Sequence, residues 1–266
     1  MLATVRISNS ITLTTVIETP NGRVLVYDAG ATTGPDVTRR LIAPFLWSRG
    51  IRHIDVLILS HGDLDHFNGV PQLVDRFSIG RVLSTPTFAE RELAAMKKAL
   101  SALDAKGLAI EVVKRGQRWE VDGVSFEALH PPAVGPTKNE NARSLVLYVS
   151  HAAGSILLTG DLEEEGLTQV LAQRPPRIDV LMAPHHGSDT SNIPALAQWA
   201  KPRLVVSSQK PPTSQRKSVT MYQQSGAKFF GTWPHGAITI RPGVNVTTFR
   251  SKLTMPWNEV GRPHFD

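Results

Sequence analysis

The sequence has no cysteine among its 266 residues. This absence excludes disulfide-stabilised folds, thiol nucleophiles and cysteine-based zinc sites, so any metal must be bound by histidine and carboxylate side chains. Long hydrophobic runs are also missing, since no stretch approaches the roughly 18 consecutive apolar residues that a membrane-spanning helix needs. Residues 1–16, MLATVRISNSITLTTV, lack the continuous apolar block of a signal peptide. We therefore expect a soluble, cytoplasmic protein.

The overall composition is that of a globular protein with a moderate basic excess. Hydrophobic residues make up 41% and charged residues 20% of the chain, which excludes disordered, collagen-like and coiled-coil classes. The 29 Lys and Arg against 23 Asp and Glu give a net charge of +6. Such an excess favours an anionic partner such as a phosphate backbone. Taken alone, however, a basic surface that merely keeps the protein soluble is the commoner explanation.

Short apolar strands alternate with helical patterns along the chain. The predicted strands span residues 12–19, 23–27, 54–59, 109–113, 124–129, 144–149, 155–159, 178–183 and 203–207, with a hairpin near 236–250. The predicted helices lie near residues 70–77, 93–103, 162–172 and 194–200. This alternation predicts an α/β fold in which helices cover packed sheets. We expect one domain over residues 1–266, with an irregular tail from about residue 252.

The strongest functional signal is the segment Ser60-His61-Gly62-Asp63-Leu64-Asp65-His66, directly after an apolar strand. A loop at the carboxyl end of a strand is the usual place for a site in an α/β fold. Two imidazoles and two carboxylates would be costly to bury together, and a divalent cation removes that cost. The segment therefore predicts a metal site, with a solvated polar loop as the alternative.

Two further strand ends carry ligand-type side chains. Asp161 follows the apolar run ILLTG, and His185 and His186 follow VLMAP. Asp161 by itself suits the N-cap of the acidic helix start after it, but it also suits a carboxylate that bridges two cations. Because three strand ends all present nitrogen or oxygen ligands, the sequence predicts one site with two divalent metals.

In order and spacing, these segments resemble the metallo-β-lactamase superfamily, whose signature loop is His-x-His-x-Asp-His. Within that superfamily the resemblance is to the metallo-hydrolase domain of ComEC-type competence proteins, which act in DNA uptake and carry Asp at the position of Asp63. The other matching segments are IETPNGRVLVYDAG, NARSLVLYV, ILLTGD, LMAPHHGSDTSN and GAITI, so the resemblance covers about residues 14–240. It implies an αββα sandwich with the site at the edge where strand-end loops meet.

The resemblance also implies roles for individual residues. The implied metal ligands are His61, Asp63, Asp65, His66, Asp161 and His185. Asp65 would in addition position the attacking water, and His186 would contact a substrate oxygen or serve as a spare ligand. Asp28 matches a position that supports a ligand by hydrogen bonding, although a turn-forming Asp-Ala-Gly is an equally good interpretation.

The sequence departs from the competence group in two places. The glycine-rich opening of that group is absent near Ser10–Thr14, and its late Gly-His-Pro is absent from residues 208–217. The missing late histidine indicates an incomplete second metal site or a loss of activity. His235 is near this stretch in the sequence, but it lies in a different loop from the one in which the competence group has its late histidine. His130, in Leu-His-Pro, has no other ligand near it in sequence, so we interpret it as structural.

The function that the sequence predicts is that of a metal-dependent phosphodiesterase or nuclease acting on DNA. Carboxylate replacement of one imidazole makes the site harder and favours Mn²⁺ without excluding Zn²⁺. Lys210, Arg216 and Lys217 are candidates to bind the DNA backbone, although such a basic run is more often a solvated loop. Association with a membrane DNA-uptake channel would follow from the competence resemblance. The alternatives are a small-molecule ester, thioester or lactam hydrolase of the same fold, and a DNA-binding module without turnover.

Overall fold

Two mixed β-sheets form the centre of the molecule. The computed structural model describes residues 4–7, 14–136, 139–209, 217–241, 245–249 and 254–256. The described strands of the first sheet are β1 (Thr4–Ile7), β2 (Thr15–Glu18), β3 (Val24–Tyr27), β4 (His53–Leu59), β5 (Ser78–Ser84), β6 (Ile110–Val112), β14 (Ile238–Ile240), β15 (Asn245–Thr248) and β16 (Thr254–Pro256). Their order across the sheet is β16-β15-β14-β1-β2-β3-β4-β5-β6.

The second sheet comes from the middle of the chain. Its described strands are β7 (Arg118–Val121), β8 (Val124–His130), β9 (Val146–His151), β10 (Gly154–Leu158), β11 (Val180–Met182), β12 (Leu204–Ser207) and β13 (Lys228–Gly231). They are ordered β13-β12-β11-β10-β9-β8-β7.

Short helices cover the outer faces of both sheets. The described α-helices are α1 (Ala43–Ser48), α2 (Leu64–Phe67), α3 (Val70–Val74), α4 (Ala94–Asp104), α5 (Glu164–Leu171), α6 (Pro194–Ala200), α7 (Lys217–Gln224) and α8 (Thr232–His235). A π-type turn at Thr38–Ile42 leads into α1, and 3₁₀ turns occupy Phe88–Glu90, Asn141–Arg143 and His185–Gly187.

Buried apolar side chains form three layers, which explains why the core strands are apolar on both faces. Along β3, Leu25 and Tyr27 pack into the layer between the two sheets. Val24 and Val26, which alternate with them, pack against the helices outside the first sheet. A third layer lies between the second sheet and helices α5, α6 and α7. The sequences of strands that are covered on both faces are near-continuous apolar runs. The architecture is the predicted αββα sandwich.

Parallel strands bring the functional loops to one edge of each sheet. Strands β3 to β6 are parallel neighbours in the first sheet, and β10 to β13 are parallel neighbours in the second. Tyr27 Oη donates a hydrogen bond to the Leu145 carbonyl 2.6 Å away, and the Leu145 amide donates to the Ser60 carbonyl at 2.8 Å. The carboxyl ends of β3 and β4 are therefore tied to the segment that precedes β9.

Several elements differ from the sequence prediction. The apolar pattern does not predict β5, because its first half is largely exposed and contains Gly80, where a Cβ would lie 2.7 Å from the Asp55 carbonyl oxygen. It does not predict the exposed edge strand β7 either. The predicted irregular tail is corrected at Thr254–Pro256, whose backbone pairs with β15. A strand of three residues is too short to show an alternating pattern.

Candidate metal centre

Asp28 organises the loop that follows β4. It comes directly after β3 and has a φ of +61°, a conformation that few non-glycine residues adopt. This turn directs its buried carboxylate at Ser60 and His66. Oδ1 accepts a hydrogen bond from the Ser60 amide at 2.7 Å, and Oδ2 accepts from Ser60 Oγ and His66 Nδ1, both at 2.8 Å. The hydrogen bond to His66 is the kind of contact that the sequence predicts for Asp28.

Ser60 extends the influence of Asp28 to a second histidine. Its Oγ lies 2.9 Å from His61 Nδ1. Because the Ser60 hydroxyl proton is donated to the Asp28 carboxylate, Oγ accepts the proton that His61 carries on Nδ1. One carboxylate therefore sets the ring orientation of both histidines. The sequence gives no role to Ser60, and its position directly before His61 is the only signal that points to it.

The second sheet delivers its ligands from β10 and β11. Asp161 is buried two residues beyond the Thr159 that follows β10, while α5 begins at Glu164 with Glu163 at the N-cap. Asp161 is therefore not a helix cap. His185 and His186 follow β11 with φ values of +48° and +55°. Two consecutive non-glycine residues in this left-handed backbone conformation are costly in free energy, and such strain is concentrated at functional sites.

Each of four histidines is anchored through Nδ1 and presents Nε2 to the same small volume. Two anchors are described above; the others are Glu163 Oε2, 2.9 Å from His185 Nδ1, and the Ser208 carbonyl, 3.1 Å from His186 Nδ1. The Nε2 atoms of His66, His186 and His185 lie 3.3, 3.5 and 3.9 Å from Asp161 Oδ2. Metal-binding histidines are held in this way, with the outer nitrogen bound to a carboxylate, carbonyl or hydroxyl oxygen.

Two groups of ligand atoms share His66. One consists of His61, His66 and Asp161 and the other of Asp65, His66 and His186; within each group the ligand atoms lie within 4.8 Å of one another. His66 Nε2 is buried and makes no hydrogen bond to any atom in the described part of the chain. Imidazole nitrogens and carboxylate oxygens are the ligands of zinc, manganese and iron sites. These residues therefore fit divalent metal ions.

The electrostatics of the centre are dominated by a buried His66–Asp161 pair. Burial opposes protonation of His66, but the carboxylates of Asp161 and Asp28 outweigh it and raise the pKa of His66 well above its ordinary value. Burial likewise opposes ionisation of Asp161, yet the charges of His66 and His186 hold the pKa of Asp161 far below its usual range. An uncompensated charge here would be costly, so each group depends on its partner.

Asp65 lies at the solvent side of the centre. Its Oδ2 is 3.7 Å from His186 Nε2. Although burial opposes its ionisation, the nearby ring of His186 and the charge of His66 lower the pKa of Asp65. Asp65 is therefore a carboxylate at neutral pH. This is the state that a metal ligand or a water-positioning group requires.

Asp63 and His185 lie beside the two groups rather than inside them. Asp63 Oδ2 is 3.7 Å from His61 Nε2, while Oδ1 accepts a hydrogen bond from Arg91. The ring of His61 and the guanidinium of Arg91 lower the pKa of Asp63. The sequence does not predict Arg91, which directly follows the 3₁₀ turn Phe88–Glu90 and is remote from every motif. Both residues remain predicted ligands.

The remaining predicted residues have varied positions. Lys210 and Arg216 lie outside the described residues, and Lys217 is the exposed first residue of α7. His130 is buried outside both ligand groups and lies with its Nδ1 2.8 Å from the Ser144 carbonyl. Burial lowers the pKa of His130, as expected for a neutral structural histidine.

Comparison with known proteins identifies the family. A family model described as the metallo-beta-lactamase superfamily matches residues 8–206. The chain belongs to this superfamily. Its sequence is 32% identical over 215 residues to ComE operon protein 3 of Bacillus subtilis (strain 168), which covers 79% of this chain and 27% of that protein. It is 30% identical over 187 residues to Recombination protein 2 of Haemophilus influenzae, covering 70% and 21%.

Competence protein ComA of Neisseria gonorrhoeae, 30% identical over 201 residues that cover 74% of this chain and 25% of that protein, confirms the predicted resemblance to competence proteins. The chain spans about a quarter of the length of each of these relatives. Among solved structures, the metallo-beta-lactamase fold protein YhfI of Bacillus subtilis superposes with a TM-score of 0.59 at 9% identity, covering 91% of this chain and all of that one. This likeness confirms the fold. In the described part of the chain, no helix has both the length and the apolar character needed to cross a bilayer.

Proposed function

We propose that this superfamily member is a metal-dependent phosphodiesterase that cleaves DNA. The observation that carries the proposal is the set of four histidines, each anchored through Nδ1 and presenting Nε2 to the carboxylates of the centre. Divalent ions bound there would supply a Lewis acid for the phosphate and a water of lowered pKa. The competence relatives support DNA as the substrate.

The proposal assigns the residues of the two ligand groups to two metal ions. In this proposal His61, His66 and Asp161 would hold one ion, and Asp65, His186 and Asp161 a second. His66 has only Nε2 free and can serve one ion, whereas the Asp161 carboxylate can serve both. Asp63 and His185 are additional ligands at the two sides. The ionised Asp65 carboxylate, at the accessible side of the centre, orients the attacking water. Of the two roles predicted for His186, this proposal takes that of ligand, because Nδ1 is bound to the Ser208 carbonyl and only Nε2 is free.

The experiment is a cleavage assay on labelled single- and double-stranded DNA with Mn²⁺, Mg²⁺, Zn²⁺ or a chelator. The expected result is metal-dependent cleavage that is lost in Asp161→Asn, because this variant keeps the shape of the side chain and removes its charge. Lys217→Ala, outside the ligand groups, should retain hydrolysis of bis(p-nitrophenyl) phosphate. Hydrolysis of a chromogenic ester or lactam without DNA cleavage would instead indicate a small-molecule hydrolase. Metal or DNA binding without turnover on any substrate would indicate a binding module.

DNA binding by the basic segment is tested separately. If Lys210, Arg216 and Lys217 contact phosphates, the triple alanine variant should flatten the slope of log affinity against log salt by about two to three units. A matched triple variant at Lys97, Lys98 and Lys106, exposed cations on or just beyond α4, should leave the slope unchanged. Equal slopes in the wild type and the first variant would remove this segment from the DNA path.

A further inference from the structure

Asn141 is an unassigned side chain that faces the metal centre. It begins the 3₁₀ turn before β9, and its Oδ1 lies 3.1 Å from His61 Nε2. It is the first residue of NARSLVLYV, one of the segments that resemble the competence proteins, but the resemblance implies no role for it. A contact of this length is either an ordinary hydrogen bond or a pair of ligand atoms around a shared ion.

A hydrogen bond from Nδ2, the nitrogen of the side-chain amide, fixes the orientation of Asn141. Asn141 Nδ2 donates to Glu163 Oε1 at 2.9 Å, and a carboxylate can only accept. The amide oxygen must therefore point towards His61. Asn139 Nδ2 donates to the same Glu163 oxygen, and its Oδ1 accepts from the Asn141 amide. Two hydrogen bonds therefore hold Asn141, one through its side chain and one through its backbone, and a third connects their acceptors Glu163 and Asn139.

Glu163 serves two side chains at once. While Oε1 binds Asn141, Oε2 accepts the hydrogen bond of His185 Nδ1 at 2.9 Å. Glu163 is largely buried, and although burial opposes its ionisation, the hydrogen bonds from Asn139 and Asn141 lower its pKa. One carboxylate behind the centre therefore sets the direction of a neutral oxygen and of an imidazole nitrogen.

In the neutral ring of His61, which is the form that binds a metal, the contact with Asn141 lacks a proton. The ring proton then lies on Nδ1, where Ser60 Oγ accepts it, so Nε2 presents a lone pair to the lone pairs of Asn141 Oδ1. Two acceptors repel at this distance unless a cation lies between them. Ligand atoms about 2.0–2.2 Å from one ion are separated by roughly 3.0–3.5 Å. The observed 3.1 Å falls in this range.

We propose that Asn141 Oδ1 is a metal ligand on the His61 side of the centre, and that Glu163 is the positioning residue that directs both Asn141 Oδ1 and His185 Nε2 towards it. The inference deepens the proposed function, since it rests on metal binding at the same centre. An amide oxygen is a hard, neutral donor, so it favours Mn²⁺ over Zn²⁺ relative to an imidazole at that position.

The test measures Mn²⁺ affinity by chelator competition on the purified chain. Asn141→Ala should weaken binding about tenfold or more, since one ligand is lost, and Asn141→Ser should also weaken it because the shorter hydroxyl does not reach the centre. Asn21→Ala, in the exposed turn between β2 and β3, is the matched control and should bind as the wild type does. Thermal melting of the metal-free variants identifies any that fail to fold. The Mn²⁺ affinity of whichever Asn141 variant folds then decides the outcome.

The positioning role of Glu163 needs its own comparison. Glu163→Gln keeps the length of the side chain but cannot accept from both partners, so it should weaken Mn²⁺ binding about tenfold and change the visible absorption of the Co²⁺-loaded chain. Glu164→Gln, at the exposed next position, should do neither. A purely structural role for Glu163 would lower the melting temperature and leave the Co²⁺ spectrum unchanged.

The outcomes separate this inference from the proposed function. A wild-type chain that binds no divalent metal would overturn both. Metal binding by the wild type, with unchanged affinity and Co²⁺ spectrum in a folded Asn141 variant, would overturn the assignment of Asn141 alone. Loss of affinity in Asn141→Ala without any effect of Glu163→Gln would overturn the positioning role.

Discussion

At the scale of single residues, Asp28 is the support on which the first half of the centre depends. Its two oxygens accept three hydrogen bonds, from the Ser60 amide, the Ser60 hydroxyl and His66. All three donors belong to the segment Ser60–His66, which follows β4 and runs into α2, and Ser60 also contacts His61. Replacing Asp28 should therefore disturb the orientation of both His61 and His66, although it supports them only through Nδ1, the nitrogen that faces away from the metal.

We predict that Asp28→Asn weakens divalent metal binding about 10- to 100-fold. An asparagine has a single acceptor oxygen, so its Nδ2 would face Ser60 or His66, both of which donate. Chelator competition measures the affinity. Asp36→Asn, a surface carboxylate paired with Arg39, is the control and should bind metal normally. Wild-type affinity in Asp28→Asn would show that the hydrogen bonds do not support the ligands.

The charge state of His66 predicts opposite effects of pH on the metal-free and metal-bound protein. Because the pKa of His66 is raised in the fold, its protonated form stabilises the metal-free protein fully below about pH 6.5, and this stabilisation is lost as the pH rises through the raised pKa. A metal ion that binds His66 must displace the same proton, so metal affinity increases as the pH rises from about 6.5 through the raised pKa of His66.

Melting temperatures with and without Mn²⁺, measured across this pH interval, check the prediction. The metal-free melting temperature should fall and the increase caused by Mn²⁺ should grow. His53→Gln removes an exposed histidine on β4 that lies outside the ligand groups, and its two curves should follow those of the wild type. A metal-induced increase that does not change with pH would contradict proton displacement from His66.

At the scale of elements, the loop after β3 packs backbone to backbone against the ligand loop after β4. A Cβ on Gly30 would lie 2.3 Å from the carbonyl oxygen of Asp65 and 2.7 Å from the carbonyl carbon of His66. Neither is the flexible end of a side chain. The close approach of these two loops therefore requires glycine at position 30.

We expect Gly30→Ala to lower the free energy of unfolding by about 1–3 kcal/mol, as overpacking does elsewhere, and to weaken metal binding because Asp65 and His66 must move. Urea denaturation and chelator competition measure the two effects. Gly135→Ala, where the nearest atom to a Cβ is 3.7 Å away, should change neither. If Gly30→Ala alters stability but leaves metal affinity unchanged, the displacement does not reach the ligands.

The sequence predicts the elements that carry the motifs better than those around them. Strands β3, β4, β10, β11 and β12 are apolar on both faces, so their patterns are clear and their carboxyl ends locate the ligands. Glu163, Asn141 and Arg91 are not predicted as site residues. Each is a common polar residue in a loop or helix start, and only the packing of distant segments brings it to the centre.

At the scale of the whole molecule, the centre is shared between the two sheets. Its ligands follow β4 of the first sheet and β10 and β11 of the second, so the sheets must keep their relative positions for the ligands to meet. Tyr27 is one of the direct links. It is fully buried on β3, and its Oη donates to the Leu145 carbonyl before β9.

Tyr27→Phe should reduce the free energy of unfolding by about 1–2 kcal/mol, because it leaves a buried carbonyl without this donor. It should also weaken metal binding, since the link between the sheets is loosened. Tyr148→Phe is the control, because Tyr148 Oη donates to the Arg177 carbonyl near the surface. Urea denaturation compares the two variants. An equally small effect in both would mean that this hydrogen bond does not hold the sheets together.

The pairing of β1 with β14 can form only late in the synthesis of the first sheet. Val5 lies opposite Ile240, so all the residues between them must leave the ribosome before that pair of strands can form. Contacts between such distant residues form slowly. Until then β1 offers an unpaired strand edge, to which another nascent chain can add. Slow translation or high expression would therefore favour aggregation through β1, and chaperones that shield strand edges would raise the yield of folded protein.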